Sequence, residues 1–237
     1  MNERQLSERL IRVAQYVPAN VKVADIGSDH AYLPCFLCLR DNSITAIAGE
    51  VNEGPYQSAV NQVKRVGLTE QISVRKGNGL EVIEAGEVDV ITIAGMGGGL
   101  ITSILEEGKP KLSGVSKLIL QPNVSADHIR RWLLSNEWLL VSEEILEEDE
   151  KIYEVLVAER GSDNSFYEED RERKLLLGPF LMNNPNQSFR KKWLAEIRNW
   201  ERIIKKLQEA TPNEASLEKK KQLQIKIDMV EEVLLRG

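Results

Sequence analysis

Cysteine and long apolar runs are both scarce in this chain of 237 residues, and each scarcity removes a class of answer. The two cysteines, Cys35 and Cys38, are spaced C-x-x-C, but a structural zinc site takes four ligands and nothing nearby supplies the others. A redox pair needs solvent, whereas CFLCL reads as the apolar face of a helix. Two buried, reduced thiols and no metal are expected. No apolar run approaches the roughly 20 residues that span a bilayer. The start, MNERQLSERLIRVAQYV, is a charged amphipathic helix rather than a signal peptide, which predicts a cytoplasmic protein that meets no membrane.

Also lacking is net positive charge. The formal charge of −6 opposes phosphate binding by the molecule as a whole, yet the charges are unevenly placed. Acids crowd Glu143, Glu144, Glu147, Glu148, Asp149 and Glu150. Arg190, Lys191, Lys192, Arg198, Arg202, Lys205, Lys206, Lys219, Lys220 and Lys221 crowd the C-terminal third. The pattern is that of a basic appendage on an acidic body.

Strand and helix signals alternate over the first two thirds. KVADIG, SITAIAGEV, ISVRKGNGL, VDVITIAGMGG and KLILQPN read as strands, separated by helical stretches such as GPYQSAVNQVKRVG with Gly67 placed to cap it. Such alternation predicts an α/β fold with a parallel sheet, ligands lying outside the carboxyl ends of its strands. The late strands around EEDEK predict a closing antiparallel pair, with a domain boundary near Arg160. Beyond it YEEDRERKLLLGPFLM, SFRKKWLAEIRNWERIIKKLQEA and SLEKKKQLQIKIDMVEEVLL read as helices, Pro212 dividing the last two. Trp193, Ile197, Trp200, Ile204 and Leu207 form one apolar stripe, and Leu217, Leu223, Ile227, Val230 and Leu234 another, predicting an antiparallel hairpin.

The first strand runs into Asp25-Ile26-Gly27-Ser28-Asp29-His30-Ala31-Tyr32-Leu33-Pro34. Gly27 permits a sharp turn and close approach of exposed amides to a ligand. The dinucleotide pattern G-x-G-x-x-G is missing, because Asp29 stands at its second glycine. A carboxylate there disfavours a diphosphate and suits a ligand bearing an amine and a sulfonium, which leans towards S-adenosylmethionine. Glu50, about twenty residues further on, is placed to accept a ribose diol, or is an ordinary exposed Glu at a strand end. Asn78 and Gly79 can read an adenine edge or simply make a turn. The glycines of Ala94-Gly95-Met96-Gly97-Gly98-Gly99 suit close backbone approach or a plain flexible turn. Gln121 and Asn123 divide evenly between pocket lining and turn formation.

DIGSDHAYLP, GEVNEGP, GNGL, AGMGG and LQPN, in this order, resemble the bacterial tRNA (adenine-22-N1)-methyltransferases. The likeness covers the chain to about residue 160, and the helical remainder resembles that family's coiled-coil appendage. It implies a Rossmann-like class I methyltransferase domain over 1–160, a helical domain for tRNA contact over 161–237, S-adenosylmethionine as cofactor, and methylation at N1 of an adenine in tRNA. By position, Asp25, Gly27, Glu50, Val51, Asn78, Gly79, Ala94, Gly95 and Met96 would line the cofactor. Asp29, His30 and Tyr32 would serve catalysis at the target base. Gly97, Gly98, Gln121 and Asn123 would face that base, and Arg190, Lys191, Lys192 and Arg198 the tRNA backbone. The N-P-P-Y or D-P-P-Y tetrapeptide by which many amino-methylating enzymes hold a flipped base is missing.

Each catalytic candidate carries a structural alternative. Asp29 stabilises a cationic ring, or it or Ser28 caps the following helix. His30 accepts a proton or is only structural. Tyr32 stacks on a base or packs in the core. Beside the enzyme stands a ligand-sensing module whose hairpin binds a protein, and an NAD-dependent oxidoreductase is disfavoured by Asp29. A monomer is expected.

Overall fold

The computed structural model describes residues 2–161, 167–209 and 213–235. It divides into two compact units, Met1–Glu144 with Tyr153–Asn164 and Ile145–Ile152 with Ser165–Gly237.

In the first unit α1 (Glu8–Gln15) precedes a regular alternation: β1 (Lys22–Ile26), α2 (Tyr32–Arg40), β2 (Thr45–Glu50), α3 (Glu53–Arg65), β3 (Ile72–Lys76), β4 (Val90–Gly97), α4 (Gly98–Glu107), β5 (Lys117–Val124) and α5 (Ala126–Ser135). Strands β6 (Trp138–Glu148) and β7 (Lys151–Arg160) follow. The sheet order is β3-β2-β1-β4-β5-β7-β6. The first five strands pair in parallel and β7 runs antiparallel to β5. Val23, Ala24, Val90, Ile91, Ile93, Leu118, Ile119 and Leu120 are fully buried, as the central strands of a sheet covered on both faces require. Because β1 lies between β2 and β4, the strand order reverses there. The loops after β1 and β4 therefore open side by side.

Local chemistry fixes the ends of the elements. After α3, Gly67 takes φ +73, its N–H donates to the Lys64 carbonyl, and the Leu68 N–H donates to the Val63 carbonyl. This is a Schellman stop, and it holds the position where the sequence places a capping glycine. Cys35 and Cys38 are buried thiols on α2, pushed up by burial to pKa values of about 12 and about 11.

Glu143 opens the acidic run, yet it is not surface charge. Arg130 of α5 is 0% exposed, its Nε donates to Glu143 Oε1 at 2.6 Å, and its Nη2 pairs with Glu154 of β7. Burial works against the guanidinium charge, and the two carboxylates more than offset it, so Arg130 is held protonated.

The second unit holds α6 (Arg171–Leu177), α7 (Pro179–Asn183), α8 (Gln187–Glu209) and α9 (Glu214–Leu235), together with the outer end of the β6–β7 hairpin. Asp149 and Glu150 turn that hairpin with φ +49 and +62, the mirror-image turn that matches strand twist. Phe189, Trp193, Ile197, Trp200 and Ile204 of α8 form one buried cluster with Leu223, Ile227, Val230 and Val233 of α9. Three details differ from the sequence reading. Leu207, placed in the α8 stripe, is only half-buried and lies outside this cluster. YEEDRERKLLLGPFLM is not one helix: Gly178 at φ +88 followed by Pro179 divides α6 from α7. On α9, Leu217 is exposed and Val233 is fully in the core while Leu234 only borders it. Pro212 lies outside the described residues.

Arg130→Met tests the buried triad. It leaves two carboxylates without their cation, and urea unfolding at neutral pH should record a loss of about 3–5 kcal/mol. The loss should shrink on acidification as the orphaned carboxyls protonate.

Candidate functional site

The loop after β1 is closed upon itself. Gly27 takes φ +70, a backbone conformation that disfavours any side chain, and the terminal methyl of Met96 fills the space where a Cβ would begin. The Gly27 and Ser28 N–H groups donate to the Gly49 carbonyl at 3.0 and 3.1 Å. The Asp29 N–H donates to Glu50 Oε1, and the Ala31 N–H to the Ser28 carbonyl. These amides therefore face the end of β2 or their own turn, and the expected exposed row of donors is not formed. A diphosphate binds through such a row. Asp29 and Ala31 also adopt left-handed φ of +52 and +53, strain that the hydrogen bonds to Gly49 and Glu50 sustain.

Carboxylates crowd the same corner. Asp25 is buried, and both its oxygens are occupied: Ser28 Oγ donates to Oδ2 at 2.5 Å and Thr92 Oγ1 to Oδ1 at 2.7 Å. Asp25 thus braces the loop from below rather than presenting a free carboxylate to a ligand. Glu50 is buried at the end of β2, and burial raises its pKa above the usual carboxylate range, with repulsion from Asp29 and Asp25 adding to the rise. A cation or a pair of hydroxyl donors relieves that charge, and a phosphate aggravates it.

Asp29 and His30 are exposed, and Tyr32 is half-buried. His30 Nε2 stands 3.7 Å from Asp29 Oδ1, and the His30 and Tyr32 rings stack with centroids 5.2 Å apart. The three are therefore brought together. Neither capping reading holds, because Ala31 is the N-cap of α2 and no side chain caps it. Val51 is exposed just past Glu50. Asn78 caps a 3₁₀ turn over Gly79–Val82 in a reciprocal box with Glu81, and Gly79 takes φ +54. Asn78, Gly79 and Ile104 line a small cleft.

The glycine stretch is not a flexible loop. β4 continues through Ala94, Gly95, Met96 and Gly97, with its register against β5 interrupted around Met96. Gly98 is buried, and a Cβ there would lie 2.0 Å from the Ser125 carbonyl oxygen, so this glycine packs α4 on the β5–α5 turn instead of meeting a substrate. Gln121 is fully buried and Asn123 exposed, and both hydrogen-bond to the backbone of Gly95. Gln121 therefore supports the loop from within rather than lining a pocket.

The basic candidates of the second unit separate in the same way. Arg190 Nη1 donates to the Leu234 carbonyl at 3.2 Å, and Lys191 pairs with Glu147 at 2.5 Å. Lys192 lies over the Trp193 ring, 4.8 Å from its centroid. Arg198, Arg202 and Lys205 are exposed. At 100° per residue they fall opposite Trp193, Ile197, Trp200 and Ile204, on the outer face of α8.

Thr92 and Arg9 take part without having been singled out by sequence. Thr92 is the one hydroxyl within the apolar strand VITIA, a visible signal. Arg9 meets Gln121 across 112 positions, for which no local pattern exists. Among the described residues no trio of His, Cys, Asp or Glu is grouped to hold a metal ion, and no helix is long and apolar enough to cross a membrane.

Residues 23–232 match the family model described as tRNA (adenine(22)-N(1))-methyltransferase, a match that begins after α1. The chain is 49% identical, over the whole of both sequences, to a Bacillus subtilis (strain 168) protein named tRNA (adenine(22)-N(1))-methyltransferase. The crystal structure of the B. subtilis M1A22 tRNA methyltransferase TrmK superposes with a TM-score of 0.93 at 48% identity, covering 97% of this chain and 99% of that one. A Streptococcus pneumoniae structure described as a putative tRNA (m1A22) methyltransferase in complex with S-adenosyl-L-methionine superposes at 0.79, with 44% identity, 97% of this chain and all of that one.

Glu50→Gln reports the charge at this corner. Because the folded-state pKa of Glu50 is raised, its ionisation costs stability as pH rises from the ordinary carboxylate range through the raised value. The melting temperature of the variant relative to the native chain should therefore climb between pH 4 and pH 8, as scanning calorimetry in the absence of ligand will record.

Proposed function

This chain belongs to the tRNA (adenine(22)-N(1))-methyltransferase family, and from that membership we propose that it methylates N1 of adenine 22 in tRNA with S-adenosylmethionine as the methyl donor. The observation that carries the cofactor assignment is the closed first loop, whose amides turn inward while Asp25, Asp29 and Glu50 gather negative charge. That corner suits a cationic ligand and repels a dinucleotide's phosphates. Glu50 would accept the ribose hydroxyls, Val51 would lie against the adenine ring, Asn78 and Gly79 would read its edge, and Gly27, Ala94, Gly95 and Met96 would let the backbone pass close. When bound, S-adenosylmethionine supplies an electrophilic methyl carbon on a cationic sulfur.

Adenine N1 carries its lone pair in the ring plane, so positioning and exclusion of water supply most of the rate, with no covalent enzyme intermediate. In a paired stem that lone pair is engaged, and the base must be met unpaired or drawn out. Methylation leaves the ring cationic. Asp29, exposed and held by its backbone N–H to Glu50, offsets that charge as it forms. The stacked His30 and Tyr32 form an aromatic shelf for the base, with His30 or water accepting the proton that the product later sheds. Gly97 leaves the approach to the base open.

The helical unit contacts the tRNA backbone through the outer face of α8. Arg198, Arg202 and Lys205 carry this contact, while Arg190 and Lys191 hold their own unit together. The protein works as a monomer in the cytoplasm, where tRNA is modified.

Labelled S-adenosylmethionine with unmodified tRNA, followed by nucleoside analysis, tests the activity. The native chain should form N1-methyladenosine and Asp29→Ala should lose about 10²-fold or more in kcat. No label in any tRNA would contradict the assignment. In a salt titration of tRNA binding, Arg198→Ala with Arg202→Ala should weaken affinity and lower the slope of log K against log salt by about 1–2. An unchanged slope would remove α8 from the interface.

A further inference from the structure

Both backbone groups of Gly95 are gripped by side chains of β5. Its N–H donates to Gln121 Oε1 at 3.1 Å, and its carbonyl accepts Asn123 Nδ2 at 2.8 Å. Gln121 Nε2 donates in turn to Asn123 Oδ1 at 3.3 Å and to the Pro122 carbonyl at 3.0 Å. The two amide side chains form a closed clamp on a residue at φ +79, where the β4–β5 register is irregular.

Arg9 closes that clamp from the N-terminal helix. Its Nη1 donates to the same Gln121 Oε1 at 2.7 Å, its guanidinium lies 5.4 Å from the Tyr153 ring centroid, and it stands 3.7 Å from where a side chain on Gly95 would begin. A charged donor makes the stronger hydrogen bond to an amide oxygen. With two donors on Oε1, the Gln121 amide has one satisfied orientation, and that orientation aims Nε2 at Asn123.

We propose that Arg9 is a positioning residue for methyl transfer: it locks the Gln121–Asn123 clamp and so fixes the Gly95 backbone, on the cofactor side, relative to Gly97 and Asn123, on the side of the target base. The inference rests on the proposed reading of Gly95 as cofactor-lining and of Gly97 and Asn123 as base-facing. A base misplaced by about 1 Å costs on the order of 10²-fold in rate, so a loose clamp lowers kcat without weakening the binding of either partner.

The test is steady-state kinetics of the full chain with tRNA varied at saturating S-adenosylmethionine, beside calorimetric cofactor binding and thermal unfolding. Arg9→Met should lower kcat by roughly 30-fold while KM for tRNA and Kd for the cofactor stay within about threefold. Arg9→Lys, which keeps one charged N–H, should recover to within about threefold of native. Asn123→Ala should fall in parallel, and the Arg9→Met, Asn123→Ala double variant should be no slower than the slower single one, because both open one clamp. Unchanged kcat in Arg9→Met overturns the proposal. A raised KM with kcat retained also overturns it, making Arg9 a tRNA contact. A native chain that forms no N1-methyladenosine defeats the functional reading itself, so the two failures are distinguishable.

Discussion

The hydrogen bond from the Asp29 amide to the Glu50 carboxylate is the constraint on which the site depends. It joins the loop after β1 to the end of β2, and with the Gly27 and Ser28 amides on the Gly49 carbonyl it turns the loop's donors inward. A strand-loop-helix unit that elsewhere offers amides to phosphate here offers carboxylates instead. The bond also holds Asp29 in a left-handed conformation that its side chain alone would not select. Loss of the Glu50 acceptor would free the loop to relax, so cofactor charge preference and placement of Asp29 are coupled in one contact.

Around that contact the polar groups fall into bracing and presenting sets. Buried Asp25 accepts from half-buried Ser28 and from buried Thr92, bracing β1 against β4, and Gln121 with Asn123 braces the end of β4. Asp29 and His30 remain exposed, and Val51 lies open beside Glu50. Buried polar groups that are fully paired stiffen a site, and stiffness matters for a reaction whose rate comes from positioning. The same division runs through the second unit, where Arg190 and Lys191 tie elements together while Arg198 and Arg202 face outward on α8.

The alternation of strands and helices was legible because each strand's apolar run and each following turn signal are local. Gly67, Cys35, Cys38 and the buried stripe of α8 follow from the same local rules. The sharp turn at Gly27 and the strand-end place of Glu50 were legible from spacing, although not the inward turn of the amides, which depends on a carbonyl more than twenty residues away. VDVITIAGMGG read as a strand although its glycines alone also suit a flexible turn, and pairing with β5 carries that strand through Gly97. Leu217 was counted with the α9 stripe, but it stands six residues before Leu223, which at about 100° per residue turns it off that face, and it lies exposed. Arg9 was invisible, since only the folded sheet brings it to Gln121.

Calorimetric titration of the native chain with S-adenosylmethionine and, separately, with NAD, repeated on Glu50→Gln, tests the carboxylate-lined loop most directly. The account predicts that S-adenosylmethionine binds the native chain, that Glu50→Gln weakens it by about tenfold or more through loss of charge-assisted hydrogen bonds to the ribose, and that NAD gives no binding heat. Comparable binding of NAD, or S-adenosylmethionine affinity untouched by Glu50→Gln, would contradict it.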